Sequence, residues 1–71
     1  MEFLKVVFPG RREVVIDGVN SGQFTGDIIE LEAGHHLISL EGEPDFVPEQ
    51  QEIRIEGTSV LDPKEVTFEK K

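Results

Sequence analysis

Apolar and polar positions alternate along much of the chain, most clearly between residues 13 and 40. The apolar runs in this stretch flank turn-forming residues, first Asp17-Gly18 and later Ala33-Gly34. Consecutive antiparallel strands that share one buried face have this pattern. The sequence therefore predicts a β-sheet organised around this stretch.

The same alternation continues toward the end of the chain. Segment 52–56 places Ile53 and Ile55 on one face between charged neighbours, and segment 65–69 places Val66 and Phe68 on one face between polar neighbours. Two prolines in the loop 42–49 forbid a regular helix there. We predict an all-β fold, a small antiparallel β-sandwich of about six or seven short strands with little or no helix, in a single domain over residues 1–71.

The first strand, predicted over residues 2–8, is apolar at nearly every position. Such a run fits a strand buried on both faces or an edge strand at a subunit contact. One hypothesis is that the face carrying Phe3 and Val7 forms a weak homodimer contact or docks on a neighbouring domain. The alternative is a central strand whose two faces are covered by Phe46, Phe68 and the loops.

Two turns interrupt the first half of the chain. Residues 9–12, Pro-Gly-Arg-Arg, predict a bend with both arginines in solvent. Residues 17–26 predict a hairpin or a long loop. A calcium loop fails here, because its third, fifth and twelfth positions hold Val19, Ser21 and Ile28 instead of oxygen ligands of the required type.

Two adjacent histidines lie in the strand predicted from residue 35 to residue 41. Because side chains alternate along a strand, His35 and His36 point to opposite faces and cannot chelate one metal ion. His36 shares its face with Ile38 and Leu40. We therefore predict a partly buried imidazole that is hydrogen-bonded to a loop; the alternative is a pH-responsive or ligand-contacting residue.

Composition excludes several classes of partner. Seven basic and fifteen acidic residues give a net charge of -8, which repels nucleic acid and anionic lipid. Without cysteine the chain has neither disulfides nor thiol chemistry. The apolar segment 3–8 is too short to cross a membrane or to form a signal-peptide core. As written the chain is expected to be cytoplasmic, unless a leader has been removed.

No catalytic constellation stands out from this composition. Fifteen acids always offer carboxylate pairs, but Ser21, Ser39 and Ser59 lie in no motif of an activated nucleophile. A chain of 71 residues also has little room for an internal active site. We predict no enzyme, no metal site and no cofactor, and a small hydrolase is the least favoured alternative.

Several residues occur in an order that is typical of a known family: Ile16-Asp17-Gly18, Gly22, Leu31-Glu32-Ala33-Gly34-His35-His36, Ile38, Leu40, Gln51 to Ile55 and Gly57. This order resembles the PEGA domain family over roughly residues 7–69. The name-giving turn of that family would fall on residues 9–12, where only Pro9 is kept, and a family tyrosine would fall on Phe46, so the chain would be a divergent member.

The resemblance implies a small β-sandwich that serves as a binding or spacer module, often attached to exported or envelope proteins. We therefore expect a non-catalytic interaction module with a protein partner. Phe24 and Phe46 are the loop aromatic residues most suited to contact it, and the alternative is that they close the core, as loop phenylalanines in small domains more often do. The resembled family also suggests carbohydrate as an alternative ligand. The absence of Trp and Tyr weakens the carbohydrate alternative, because sugar platforms use aromatic faces with polar edges.

Overall fold

The chain folds into nine β-strands. The computed structural model describes all 71 residues and holds no helical segment of the length and hydrophobicity that a bilayer crossing requires. The strands are β1 (Glu2–Val7), β2 (Glu13–Ile16), β3 (Val19–Phe24), β4 (Ile28–Leu31), β5 (Gly34–Leu40), β6 (Phe46–Val47), β7 (Gln51–Ile55), β8 (Lys64–Thr67) and β9 (Glu69–Lys70).

Two sheets enclose the core. A three-stranded sheet has the order β4-β1-β8, a four-stranded sheet has the order β3-β2-β5-β7, and β6 pairs with β9 at one end. Every pair is antiparallel except β1 with β8. The predicted all-β sandwich is confirmed. There are nine strands instead of six or seven, because β3, β6 and β9 form where the sequence predicts turns, loops or longer strands.

The predicted hairpin at residues 17–26 is confirmed, and the alternative of a long loop there is wrong. Asp17 and Gly18 have φ values of 54° and 80°, which is the backbone geometry of a two-residue hairpin turn. The chain then returns as β3, whose Val19 and Asn20 pair with Ile16 and Val15 of β2. This turn therefore brings β3 to the edge of the four-stranded sheet.

Alternation along the strands builds one apolar core between the two sheets. Side chains at every second position of β1, β4, β5 and β7 point inward, and the outward positions are more exposed. The twelve core residues are Leu4, Val6, Val14, Ile29, Leu31, Ile38, Leu40, Phe46, Ile53, Ile55, Val66 and Phe68.

Phe46 belongs to this core, so its prediction as a contact residue is wrong. Its side chain is only 5% exposed, and its ring meets the edges of Phe8 and Phe68 at centroid distances of 6.2 Å and 5.7 Å. The loop before β6 folds over the end of the sandwich because this aromatic group excludes water there. Phe46 contributes to stability and presents no surface to a ligand.

The first strand lies in the centre of its sheet, so of the two possibilities for its position the edge strand is wrong. Strand β1 pairs with β4 on one side and with β8 on the other. Leu4 and Val6 point inward and are fully buried, whereas Phe3 is half-buried and Val7 is 37% exposed. The alternative of a central strand is therefore right about its position but wrong that both faces are covered.

Arg12 is not in solvent, contrary to the prediction. Its guanidinium donates hydrogen bonds to the backbone oxygens of Glu41 and Glu43, at 3.0 Å and 3.2 Å, and to the carboxylate of Asp45 at 2.6 Å. Gly42 passes so close that a Cβ there would lie 3.0 Å from Arg12 Nη1. Arg12 therefore ties the turn after β1 to the loop after β5.

Arg12→Lys is expected to lower the free energy of unfolding by about 1 kcal/mol, because an ammonium group cannot reach three acceptors in this fork geometry. Urea unfolding followed by circular dichroism measures the change. Arg11→Lys is the matched control, since the Arg11 side chain is 65% exposed. Equal effects of the two substitutions would contradict this role of Arg12.

Candidate functional site

An open cleft of about 480 Å³ lies between the β3 edge of one sheet and the β4 edge of the other. Its apolar lining comes from Phe3, Ile16, Ile28 and Ile29, and its polar lining comes from Ser21, Gln23 and Glu30. This volume lies within the usual range of ligand pockets. We call it the β3–β4 cleft.

The β3–β4 cleft exists because a sheet of four strands packs against a sheet of three. Strand β4 is the last strand of the three-stranded sheet, and β3 is the last strand of the sheet across the core. Five of the six residues of β3 are exposed, so β3 lacks a covering strand. The four-stranded sheet thus extends past β4 and leaves its own edge strand open.

Polar side chains hold β3 in place where apolar packing is missing. The Glu13 carboxylate accepts hydrogen bonds from Asn20 Nδ2 at 3.3 Å and from the Gly22 backbone N–H at 2.9 Å. Ser21 Oγ donates to the backbone oxygen of Val14 at 2.6 Å. The Ser21 hydroxyl therefore has a structural partner, and Glu30 is the one carboxylate that lines the β3–β4 cleft.

Phe24 lies at the end of β3 and not in a loop as predicted. Its side chain is 37% exposed, and the Arg11 guanidinium lies over its ring at 4.9 Å from the centroid. Asp27 is within 3.6 Å of that guanidinium and accepts a hydrogen bond from the Phe24 backbone N–H at 3.1 Å. One face of the ring is thus already occupied by a cation.

His36 has both ring nitrogens engaged. Nδ1 lies 2.7 Å from Asp17 Oδ2, and Nε2 lies 2.7 Å from the backbone oxygen of Glu32. The ring is 15% exposed, so it is partly buried and hydrogen-bonded to loops, as predicted. Because both partners are acceptors, this geometry favours the doubly protonated imidazolium, which donates on both sides.

The pKa values of this pair are shifted in opposite directions, and both shifts favour the charged form. The hydrogen bond to Asp17 raises the pKa of His36 above 6.5, with a further contribution from the Glu32 carbonyl and opposition from burial. The pKa of Asp17 is lowered below 3.8, first by the backbone N–H of Leu37 and then by His36. The pair cross-links three chain segments, and neither ring nitrogen is free to act on a substrate.

The structure brings together only some of the predicted site residues. Phe3 lines the β3–β4 cleft, and Val7 lies further along the same face of β1. His36 and Phe24 are outside the lining of the β3–β4 cleft, and Phe46 is in the core. The predicted residues therefore do not form one site.

Two further exposed apolar residues were not predicted from the sequence. Val60 and Leu61 form the tip of a tight turn, and Leu61 is 96% exposed. The flanking residues Ser59 and Asp62 exchange two backbone hydrogen bonds at 3.2 Å and 3.1 Å. Apolar residues between Thr58-Ser59 and Asp62-Pro63 were the available signal, since turn tips are usually polar.

No family model, curated protein or solved structure matches this chain. The resemblance to the PEGA domain family stays a prediction. Within the structure, no group of three or more His, Asp or Glu side chains could hold a metal ion.

Proposed function

We propose that this chain is a non-catalytic interaction module that contacts another protein or a neighbouring domain. The observation that supports this is the outer face of the three-stranded sheet, which carries Phe3, Val7 and Ile28 around Lys5. The register places them together, because Lys5 pairs with Ile28 and the side chains of β1 alternate. A solvated outer face is normally polar, so this apolar group favours a contact surface.

The surrounding charge is consistent with a specific contact. Glu30 of β4 pairs with Phe3, and Glu65 of β8 pairs with Lys5, so acidic residues border the outer face on both sides. Interfaces commonly combine an apolar centre with a polar rim, in which charge selects the partner more than it adds affinity. A partner with a basic rim fits this arrangement best.

Val7→Ser is expected to reduce partner binding about fivefold to tenfold, because the minority of interface residues whose truncation costs more than about 1 kcal/mol cluster at the packed part of the contact. The measurement is the amount of protein that the immobilised chain retains from an extract of its source cells, quantified for wild type and variants. Phe3→Ser is the second variant of the outer face, and its fold is checked by circular dichroism.

Val47→Ser is the matched control, because Val47 is 38% exposed but belongs to β6 at another part of the molecule. Retention of the same proteins by wild type, Val7→Ser and Val47→Ser would contradict the proposal. Sedimentation equilibrium on the same samples tests the alternative of a weak homodimer, which predicts that the wild type associates and that Val7→Ser is monomeric.

A further inference from the structure

We propose that the β3–β4 cleft binds an extended segment of another protein, which joins the three-stranded sheet as a fourth strand beside β4. The segment would carry apolar residues on its inward positions and Lys or Arg on its outward positions. This inference rests on the proposed function and identifies the kind of partner. Addition of a strand to an exposed sheet edge is a general mode of peptide recognition.

The position of the missing strand follows from the sheet topology. Strand β4 has a hydrogen-bonded neighbour only on the β1 side, so backbone groups on its other side have no strand to pair with. Directly across the β3–β4 cleft, β3 is almost entirely exposed. An added strand would form hydrogen bonds with the free backbone groups of β4 and cover β3 at the same time. Both sheets would then have four strands.

The dimensions limit the bound segment to a short one. Strand β4 has four residues and β3 has six. At about 3.3 Å per residue, four residues span about 13 Å, so a segment of roughly four to six residues fills this edge.

The lining determines which residues fit each face of the added strand. Inward side chains would meet Ile29, which belongs to the core, and Ile16, which packs against it. Outward side chains would lie beside Ile28 and Glu30, because residues on neighbouring strands pair laterally. With a net charge of -8 on the whole chain, a cationic side chain next to Glu30 is favoured over an anionic one.

A second copy of this chain fits the same edge poorly. Strand β4 is flanked by Asp27 and Glu32 and contains Glu30. Symmetric antiparallel pairing of two β4 edges would bring these carboxylates of both copies close together, and like charges in cross-strand positions are destabilising. The edge is thus protected against pairing with itself and remains open to a basic segment.

The test uses the full chain, labelled for amide NMR, and a short capped peptide of alternating valine and lysine. We expect shifts confined to β3, β4 and the outer-face position of Phe3. The same peptide with glutamate in place of lysine is expected not to bind. N-methylation of either all valines or all lysines blocks one edge of the peptide, so one of these two peptides should bind and the other should not.

Glu30→Lys is expected to weaken binding of the valine–lysine peptide about fivefold to tenfold, because it replaces an attraction by a repulsion. Glu52→Lys is the matched control, since it makes the same change of charge at an exposed position of β7, the edge strand of the other sheet that lies farthest from β3. The control should change the affinity by less than about twofold.

Several outcomes would overturn the inference. Equal weakening by Glu30→Lys and Glu52→Lys, with no effect of N-methylation, would mean unspecific attraction between charges. Shifts of β4 on raising the protein concentration without peptide would mean that a second copy occupies the edge. Absence of any peptide shift would also reject strand addition, while retention of partners that depends on Val7 would still support the proposed interaction module.

Discussion

Replacing Phe68 with alanine is expected to leave much of the protein unfolded at room temperature. Phe68 is 0% exposed, and its ring packs edge-on against Phe46 at 5.7 Å. Its backbone N–H also donates to the Val7 oxygen at 2.8 Å, which fixes the ring beside β1. Removal of a buried phenyl ring costs about 3–5 kcal/mol, because apolar contacts are lost and a cavity remains.

This cost is comparable to the whole stability of a domain of this size, since folded proteins retain only about 0.05–0.15 kcal/mol per residue. Far-UV circular dichroism during urea titration measures the loss. Phe24→Ala is the control, because it removes the same atoms from a side chain that is 37% exposed. We expect it to cost about 1 kcal/mol or less. A similar loss for both variants would contradict the assigned core.

The strands that the sequence predicted correctly are those in which side-chain alternation records burial directly. Ile53 and Ile55 are buried between exposed charged neighbours, and Val66 is buried between the exposed residues Glu65 and Thr67. The turn at Asp17-Gly18 could also be predicted, because few dipeptides tolerate two positive φ values in a row. Both signals are local, and local signals suffice for a fold class.

Strand neighbours were not predictable, because pairing joins distant parts of the chain. Strand β1 pairs in parallel with β8, bringing Leu4 beside Lys64. Nothing near Leu4 in the sequence specifies that partner, so an edge position was as consistent with the apolar run as a central one. The sequence offered the face with Phe3 and Val7 as one hypothesis, but only the assembled sheet shows that Ile28 lies beside it.

The β3–β4 cleft could not be predicted for a related reason. The cleft arises because the two facing sheets differ in their number of strands, and no single segment of the sequence indicates that difference. Strand β3 was itself hidden, because Asn20, Ser21 and Gly22 have low strand propensity and are held by Glu13 and Val14. A weak signal was Ile28, an apolar residue on the otherwise acidic face of its strand.

The cross-link at His36 predicts that stability falls as the pH rises from mildly acidic to mildly alkaline values. The pKa of His36 is raised in the folded state, so the folded state holds the proton more tightly than the unfolded chain. This stabilisation is complete below the unfolded pKa of 6.5 and is lost as the pH rises through the higher folded pKa. The neutral ring donates only one of its two hydrogen bonds.

Asp17 limits the same stabilisation on the acid side. Its pKa is lowered in the folded state, so its contribution is present above the unfolded value of 3.8 and is lost as the pH falls through the lower folded pKa. The Asp17 carboxylate also accepts a hydrogen bond from the Leu37 backbone N–H at 2.8 Å. The cross-link is therefore strongest between these two limits, where His36 is charged and Asp17 is ionised.

His36→Ala is expected to lower the free energy of unfolding by about 1–2 kcal/mol near pH 5.5 and by less near pH 8.5, because it removes hydrogen bonds that are charged only at the lower pH, and solvent at the half-exposed Asp17 carboxylate weakens them. Asp17→Asn should flatten the dependence above neutrality while keeping the turn. Urea titrations across this range provide the measurement. His35→Ala is the control, since the imidazole of His35 is exposed on the face of β5 opposite to that of His36. If the decrease in stability toward alkaline pH persists unchanged in His36→Ala, the stabilisation does not come from this imidazolium and the pair is only a packing contact.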